Sequence, residues 1–216
     1  SGAAVSISAD GSTVAIGASS NDGNGGSGTR QGHVRVFRTG VTQDLILTSA
    51  TSVSVLNGYD LQKSGTITAT VTETDVATLK TLTDTNSNNA YSITISDSTV
   101  SALDLLTIDG ITSVPINANS ISTITGAASD IKNVYASSGI TGLGNAAINV
   151  SGSTASVSDL NILDEKTTGV ITATVTETDI ATLKNLANAN SNNAYTINVS
   201  GSTAAAADLN ILDSKT

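Results

Sequence analysis

The residues that could do chemistry are few in this chain of 216 residues. The one histidine, His33, alternates with Val34 and Val36, and no nucleophile motif or general-base partner lies near it in sequence. We therefore expect His33 to be an exposed strand residue. The chain has no cysteine, no Gly-rich phosphate loop after a strand and no histidine pair at metal-binding spacing. This pattern predicts that the protein is not an enzyme.

Calcium is the metal that the sequence favours most. Asp22 and Asn24 lie in an oxygen-rich stretch punctuated by glycines, Asn21 to Gly25, which is typical of calcium loops. Against a site stand the single carboxylate and the lack of an Asp-x-Asp-x-Asp spacing. The two hypotheses are a calcium site with Asp22 and Asn24 as ligands and a plain flexible turn, and the turn is favoured. No other cofactor is expected.

Acidic residues recur at two places where helices are predicted to begin. Glu73 and Asp75 precede one apolar-periodic stretch, and Glu177 and Asp179 precede another. Acids at a helix start satisfy free backbone N–H groups and the helix dipole, and Thr72 to Asp75 is close to a capping box. We interpret all four as helix caps, not as catalytic carboxylates.

These acids belong to an internal repeat with a fixed offset of 104 residues. The stretch from Thr66 to Thr78 returns almost unchanged from Val170 to Thr182, and Asn86 to Tyr91 returns as Asn190 to Tyr195. A fixed period indicates segments that bury their apolar faces on neighbouring segments. Within the offset we recognise four segments of about 23–29 residues. Residues 41–216 are therefore predicted to form about seven repeats.

Each repeat reads as an alternating strand, a polar turn and a short apolar-periodic stretch of helical type. The predicted fold is an α/β solenoid, in which right-handed repeats of one strand and one short helix form a parallel sheet. The alternative is an all-β solenoid. Strands are predicted at residues 45–48, 66–72, 91–96, 115–124, 146–151, 170–176 and 195–200, and helical segments at 72–82, 156–163, 176–186 and 204–212.

Alternation along these strands predicts an inner apolar face and an outer polar face. Threonines recur on the outer face, and we list them as a candidate binding face: Thr68, Thr70, Thr72, Thr94, Thr172, Thr174 and Thr176. Regular threonine rows can order water in ice-binding solenoids, and polar rows can bind carbohydrate. Exposed threonine is also what any solvated strand prefers, and this interpretation is favoured.

Residues 1–40 differ from the repeats and predict a small antiparallel β-meander. Alternating runs at residues 4–8, 13–18 and 33–38 are separated by Asp10-Gly11 and by a Gly-rich loop. The segment resembles one blade of an FG-GAP (integrin-α-like) β-propeller, and that resemblance implies calcium at Asp22 and Asn24. One blade cannot close a propeller, so a cap or a single blade is expected.

The repeats resemble those of giant secreted bacterial surface proteins, through phrases such as Ser158 to Asp164 and Val134 to Asn145. The resemblance implies an extracellular or cell-surface structural or adhesive role. Lys215-Thr216 matches Lys166-Thr167, after which a strand follows, so the pattern predicts self-association through the ends of the stack, for example as head-to-tail fibres or a surface layer. The alternatives are a polar β-face that binds ice or glycans and a phage or appendage fibre segment.

Composition limits the partners. The formal charge is −9 with a pI of about 4.2, and only nine Lys and Arg are spread along the chain. Without a cationic stripe, nucleic acid and anionic membrane are poor partners. No apolar run approaches the roughly 20 residues of a membrane span, so no membrane insertion is expected.

Overall fold

The computed structural model describes residues 4–7, 13–21, 31–38, 43–201 and 203–216. The strands are β1 (Ala4–Ile7), β2 (Thr13–Asn21), β3 (Gln31–Arg38), β4 (Leu45–Ile46), β5 (Ile67–Thr70), β6 (Ala90–Ser92), β7 (Thr99–Ser101), β8 (Ile116–Asn117), β9 (Thr123–Gly126), β10 (Ile140–Thr141), β11 (Ala147–Val150), β12 (Ile171–Thr174) and β13 (Ala194–Thr196). The helices are α1 (Val53–Asp60), α2 (Val76–Leu79), α3 (Ala102–Asp109), α4 (Ala128–Ala136), α5 (Val157–Asp164), α6 (Ile180–Leu183) and α7 (Ala206–Asp213).

The first three strands form an antiparallel sheet in the order β1-β2-β3. The meander expected from the alternating residues is therefore confirmed. Strand β2 continues past the expected end at Ala18 to Asn21, and the pairing with β3 becomes irregular between these two residues.

From β4 onward every paired strand is parallel to its neighbour. The sheets have the orders β4-β5-β6, β7-β9-β11-β12-β13 and β8-β10. A helix lies between the two strands of each parallel pair, which is the usual parallel connection. The chain is therefore a mixed α/β protein with parallel sheets. The all-β alternative is wrong, because seven helices occur within the described residues.

The predicted strands have different bounds in the structure, and α1, α3 and α4 were not among the predicted helical segments. The strand expected at residues 115–124 is split into β8 and β9 by a turn in which the Ile121 N–H donates to the Ala118 carbonyl. Strands β7 and β10 were not expected. Elements of two or three residues are too short to show a period in the sequence, and they are defined by their pairing partners.

The core is built mainly from aliphatic residues that face inward on alternate strand positions. Ile67 and Ala69 of β5 are buried, as are Ile171 and Ala173 of β12 at the same places in the second copy. On the last strand the expectation is wrong. Ile197 is only half-buried and Val199 is exposed, because no described strand pairs with the outer side of β13.

Helices α1, α3, α4 and α5 each bury one narrow stripe on this core, whereas α7 buries only Leu212. In α3 the stripe is Ala102, Leu105 and Ile108, three residues apart, which places them on one helical face. The short helices α2 and α6 have only four residues each. They are shorter than predicted, and such pieces are stable only when they are packed.

Candidate functional site

The sequence predicts no catalytic residue, and the residues considered for general-base chemistry or metal binding lie in the N-terminal segment, of which the structure describes only part. His33 lies in β3, where it pairs with Ala18 of β2. Asp22 and Asn24 lie outside the described residues, so a calcium site there stays a prediction. Among the residues that the structure describes, no three His, Cys, Asp or Glu side chains converge as metal ligands.

The described structure concentrates its specific polar contacts at the junctions between successive repeat units. We use "repeat unit" for one helix together with the strand or strands that precede it. Three kinds of contact recur at these junctions. They are an acidic cap across the junction, a buried Asp–Asn pair and a Lys–Asp ion pair.

The first acid of each pair caps the helix of the preceding unit. Oε2 of Glu73 accepts the backbone N–H of Val53, the first residue of α1, at 3.0 Å. In the second copy, Oε2 of Glu177 accepts the N–H of Val157 at the same distance. The expectation that these glutamates cap the helices that follow them is therefore wrong. Each one ties its own strand to the helix before it.

The second acid of each pair is the true N-cap of the helix that follows. Oδ1 of Asp75 accepts the Thr78 N–H at 2.8 Å, and Asp179 does the same for Thr182. These backbone hydrogen bonds lower the pKa of both carboxyls. The predicted capping box began at Thr72 and ended at Asp75, but the N-cap in the structure is Asp75 itself. The predicted N-cap was therefore three residues too early.

A buried Asp–Asn pair joins α1 to the two units that follow it. Asn89 is 1% exposed; its Oδ1 accepts the Ile67 N–H at 2.9 Å, and its Nδ2 donates to Oδ1 of Asp60 at 2.9 Å. Thr85 donates its N–H and its hydroxyl to Oδ2 of Asp60 at 3.0 and 2.6 Å. Burial by itself raises the pKa of Asp60, but the hydrogen bonds from Thr85 and Asn89 outweigh it and the pKa is lowered.

The second copy reproduces this pair. Oδ1 of Asn193 accepts the Ile171 N–H at 3.0 Å, and Nδ2 donates to Asp164 at 2.7 Å. Here Ala189 replaces the threonine, so the carboxylate receives a backbone N–H at 3.0 Å without a hydroxyl. The signal that could have revealed the pair was the identity of these polar residues in both copies of the 104-residue repeat.

Lysines in or directly after α2, α4 and α6 pair with aspartates in the first turn of the next helix. Nζ of Lys80 lies 2.8 Å from Oδ1 of Asp104, and Nζ of Lys184 lies 2.8 Å from Oδ1 of Asp208. A third pair joins Lys132 of α4 to Asp159 of α5, and the hydrogen bond from Lys132 lowers the pKa of Asp159. All are partly exposed, so each contributes on the order of 0–1 kcal/mol.

The threonines named as a candidate binding face are exposed, apart from Thr174, which is half-buried. Strands β5 and β12 lie in different sheets, so Thr68 and Thr172 belong to separate rows. Thr68 lies between Ile46 and Ala90 on the neighbouring strands, and Thr172 lies beside Ala194. Neither row is an unbroken array of threonines.

The other named threonines extend these rows. Thr70 pairs with Ser92, and Thr94 pairs with Asn117, which pairs in turn with Thr141. Thr174 pairs with Thr196. The hydroxyls of Thr176 and Thr154 are hydrogen-bonded at 2.7 Å, and Thr72 donates its N–H to the Thr51 carbonyl.

The fold and junctions define a protein of mixed α/β class whose parallel strands are linked from unit to unit by buried polar contacts. Comparison with protein-family models, curated proteins and solved structures found no match. In the described part of the chain, no helix has the length and apolar character needed to cross a membrane.

Proposed function

We propose that the chain is a non-enzymatic structural or adhesive repeat module of an extracellular protein, wound as a right-handed solenoid. The observation that carries the proposal is the regular linkage between neighbours. Successive helices begin 23, 26, 26, 29, 23 and 26 residues apart, and the glutamate cap at the first residue of α1 returns at the first residue of α5, 104 residues later.

The distribution of buried residues supports this arrangement. One continuous hydrophobic core extends from Val53 to Leu212. Helix α3 packs against α2 and α4, and α4 packs against α5, so the helices from α2 to α5 contact their neighbours along the chain. A protein in which each unit contacts mainly its neighbours behaves as a linear array, and such arrays serve as spacers and extended surfaces.

Association through the ends of the array belongs to this proposal. Within the described residues, β13 pairs on one side only, with β12, and β4 pairs on one side only, with β5. An unpaired strand edge is a template for another strand, so either end can accept a further unit. The extracellular location rests on the sequence resemblance described above and stays part of the proposal.

A duplication of one repeat block tests the module directly. Asp60 and Asp164 occupy the same place in the two copies, so a second copy of residues 61–164 inserted after Asp164 creates one new junction, whose members are counterparts of residues that already meet in the native chain. Four added units at about 4.8 Å of strand spacing should lengthen the particle by roughly 20 Å without widening it. Small-angle X-ray scattering and negative-stain imaging measure both dimensions. A thicker particle of unchanged length would refute the linear array.

A second candidate is a polar face that binds glycans or ice. It is favoured by one row in which Ser101, Thr125, Asn149 and Thr172 lie side by side on four adjacent strands. The mixture of hydroxyl and amide groups suits glycan hydroxyls better than an ice lattice. Glycan-array binding that is lost in Asn149→Ala but kept in Thr68→Ala would support this candidate, and thermal hysteresis would support ice binding.

A further inference from the structure

The last unit repeats an inner unit at a second offset, shorter than 104 residues. Residues 148–167 and 197–216 are identical at 16 of 20 positions, 49 residues apart. The four differences are Ser156 against Ala205, Val157 against Ala206, Ser158 against Ala207 and Glu165 against Ser214. The same surface therefore occurs twice in the molecule.

The inner copy of this surface is covered by residues 170–193. Strand β12 pairs with β11, and the Ala155 N–H donates to the Thr174 carbonyl at 2.9 Å. Glu177 accepts the first N–H of α5, and Asn193 donates to the carboxylate of Asp164 at 2.7 Å. The structure thus displays a complete partner for this surface: an apolar strand, an acidic cap and an amide donor.

The outer copy lacks this cover among the described residues. Val150 is 8% exposed, but its counterpart Val199 is 39% exposed. Leu160 is 0% exposed, but its counterpart Leu209 is 45% exposed. Asp164 is buried, whereas Asp213 is exposed, and its carboxylate has no hydrogen-bond partner in the part of the chain that the structure describes.

A position that faces away from the cover acts as an internal control. Ile162 and its counterpart Ile211 are both 41% exposed. At this position, away from the face that residues 170–193 occupy in the inner copy, the exposure of the two copies does not differ.

We propose that the face formed by Val199, Leu209 and Asp213 binds a further repeat unit with the sequence pattern of residues 170–193. In that unit, the apolar side chains on the inner face of a strand cover Val199 and Leu209. A glutamate at the position of Glu177 accepts the N–H of Ala206, and an asparagine at the position of Asn193 donates to Asp213.

A second copy of this chain cannot supply its residues 170–193 to this face, because they remain on its own residues 148–167. The inference rests on the proposed repeat-module function and specifies which kind of unit adds at this end. The pattern of residues 116–141 is the competing occupant, because it covers residues 93–112, the counterparts of 197–216 at the 104-residue offset.

Two extended chains of equal length separate these occupants. One carries a second copy of residues 168–196 after Thr216, and the other carries a second copy of residues 113–141 there. Hydrogen exchange at the amides of Ala206 and residues 209–212 is measured in both extended chains and in the unextended chain. We expect the first extension to slow exchange there by about tenfold or more, toward the rates of residues 157–163, and the second to leave it unchanged.

Equal protection by both extensions, protection by the second alone, or protection by neither would overturn the proposal. Asp213→Asn is the second measurement. It should reduce the new protection in the first extended chain and have little effect in the unextended chain. Unchanged protection in the extended variant would show that Asp213 is not part of the covered face. The duplication experiment does not depend on this result, because its one new junction joins counterparts of residues that already meet in the native chain.

Discussion

Replacing Asn89 by aspartate tests whether the buried Asp–Asn pair holds neighbouring repeat units together. The Asn89→Asp side chain keeps an oxygen for the Ile67 N–H but loses the amide that donates to Asp60. In the native chain the amide nitrogen of Asn89 lies 2.9 Å from an oxygen of Asp60. In the variant a carboxylate oxygen takes the place of that nitrogen. The change is isosteric, so the effect is electrostatic and not one of packing.

The cost at neutral pH has a lower and an upper bound. Loss of a hydrogen bond to a charged group costs about 1.5–3 kcal/mol. The pair can escape the repulsion by taking up one proton. At pH 7, protonation of a carboxyl with an ordinary pKa near 4 costs about 4 kcal/mol, and this cost is the upper bound on the loss in free energy of unfolding. We therefore expect Asn89→Asp to lower the free energy of unfolding by roughly 2–4 kcal/mol at pH 7.

The pH dependence gives the variant its signature. In the native chain the lowered pKa of Asp60 contributes stability above the ordinary carboxyl pKa, and this contribution is lost as the pH falls through the folded pKa. In the variant, protonation between pH 7 and about 4 restores a donor between the two carboxyls. The difference in free energy of unfolding between the variant and the native chain should therefore shrink from pH 7 to about pH 4, a range in which Asp60 still fully stabilises the native chain.

Urea unfolding followed by circular dichroism from pH 7 to pH 4 measures both effects, and hydrogen exchange at Ile67 reports on the junction itself. Asn86→Asp is the matched control, because it adds the same charge on an exposed side chain. Asn193→Asp should repeat the pattern with Asp164 in the second copy. Equal stability of Asn89→Asp and Asn86→Asp at pH 7, or a cost that does not shrink toward pH 4, would refute the reasoning.

Two other predictions concern backbone contact and a buried hydroxyl. A Cβ at Gly169 would lie 2.5 Å from the Ala146 carbonyl oxygen, so Gly169→Ala should cost about 1–3 kcal/mol in urea unfolding, whereas Gly144→Ala, with open space, should be neutral or slightly stabilising. The hydroxyl of Tyr195 is buried without a hydrogen-bond partner among the described residues, and that of Tyr91 donates to a carbonyl at 3.4 Å. Tyr195→Phe should raise thermal stability by about 1 kcal/mol and Tyr91→Phe should not, and the opposite order would contradict the assignment of the hydrogen bonds.

Local patterns in the sequence were sufficient for the class of fold. Alternation in residues 66–72 and 170–176 predicted which side chains of β5 and β12 face the core, because side chains on a strand point to opposite faces in turn. Like strands joined by helical connections predicted parallel pairing, and the paired strands from β4 onward are parallel. The positions of α5 and α7 were also predictable, because apolar residues recur at helical spacing between Asp159 and Leu163 and between Asp208 and Leu212.

The candidate site was much less predictable. Glu73 and Asp75 are two residues apart and both read as caps, but one serves the preceding helix and the other its own. Asn89 and Asp60 are polar residues that the sequence would place on the surface, and the fold buries them together. Sequence separations of 20 residues for the Glu73 contact and 29 for the Asn89 contact lie beyond any local pattern.

The sequence by itself determined the period, the inward face of most strands and the positions of α5 and α7, since these depend on contacts within one segment. The tertiary structure alone decided the partner of each polar side chain and the exposure of the last unit. Those properties depend on the register between adjacent units, and nearly identical residues such as those at 148–167 and 197–216 are buried or exposed according to what lies beside them.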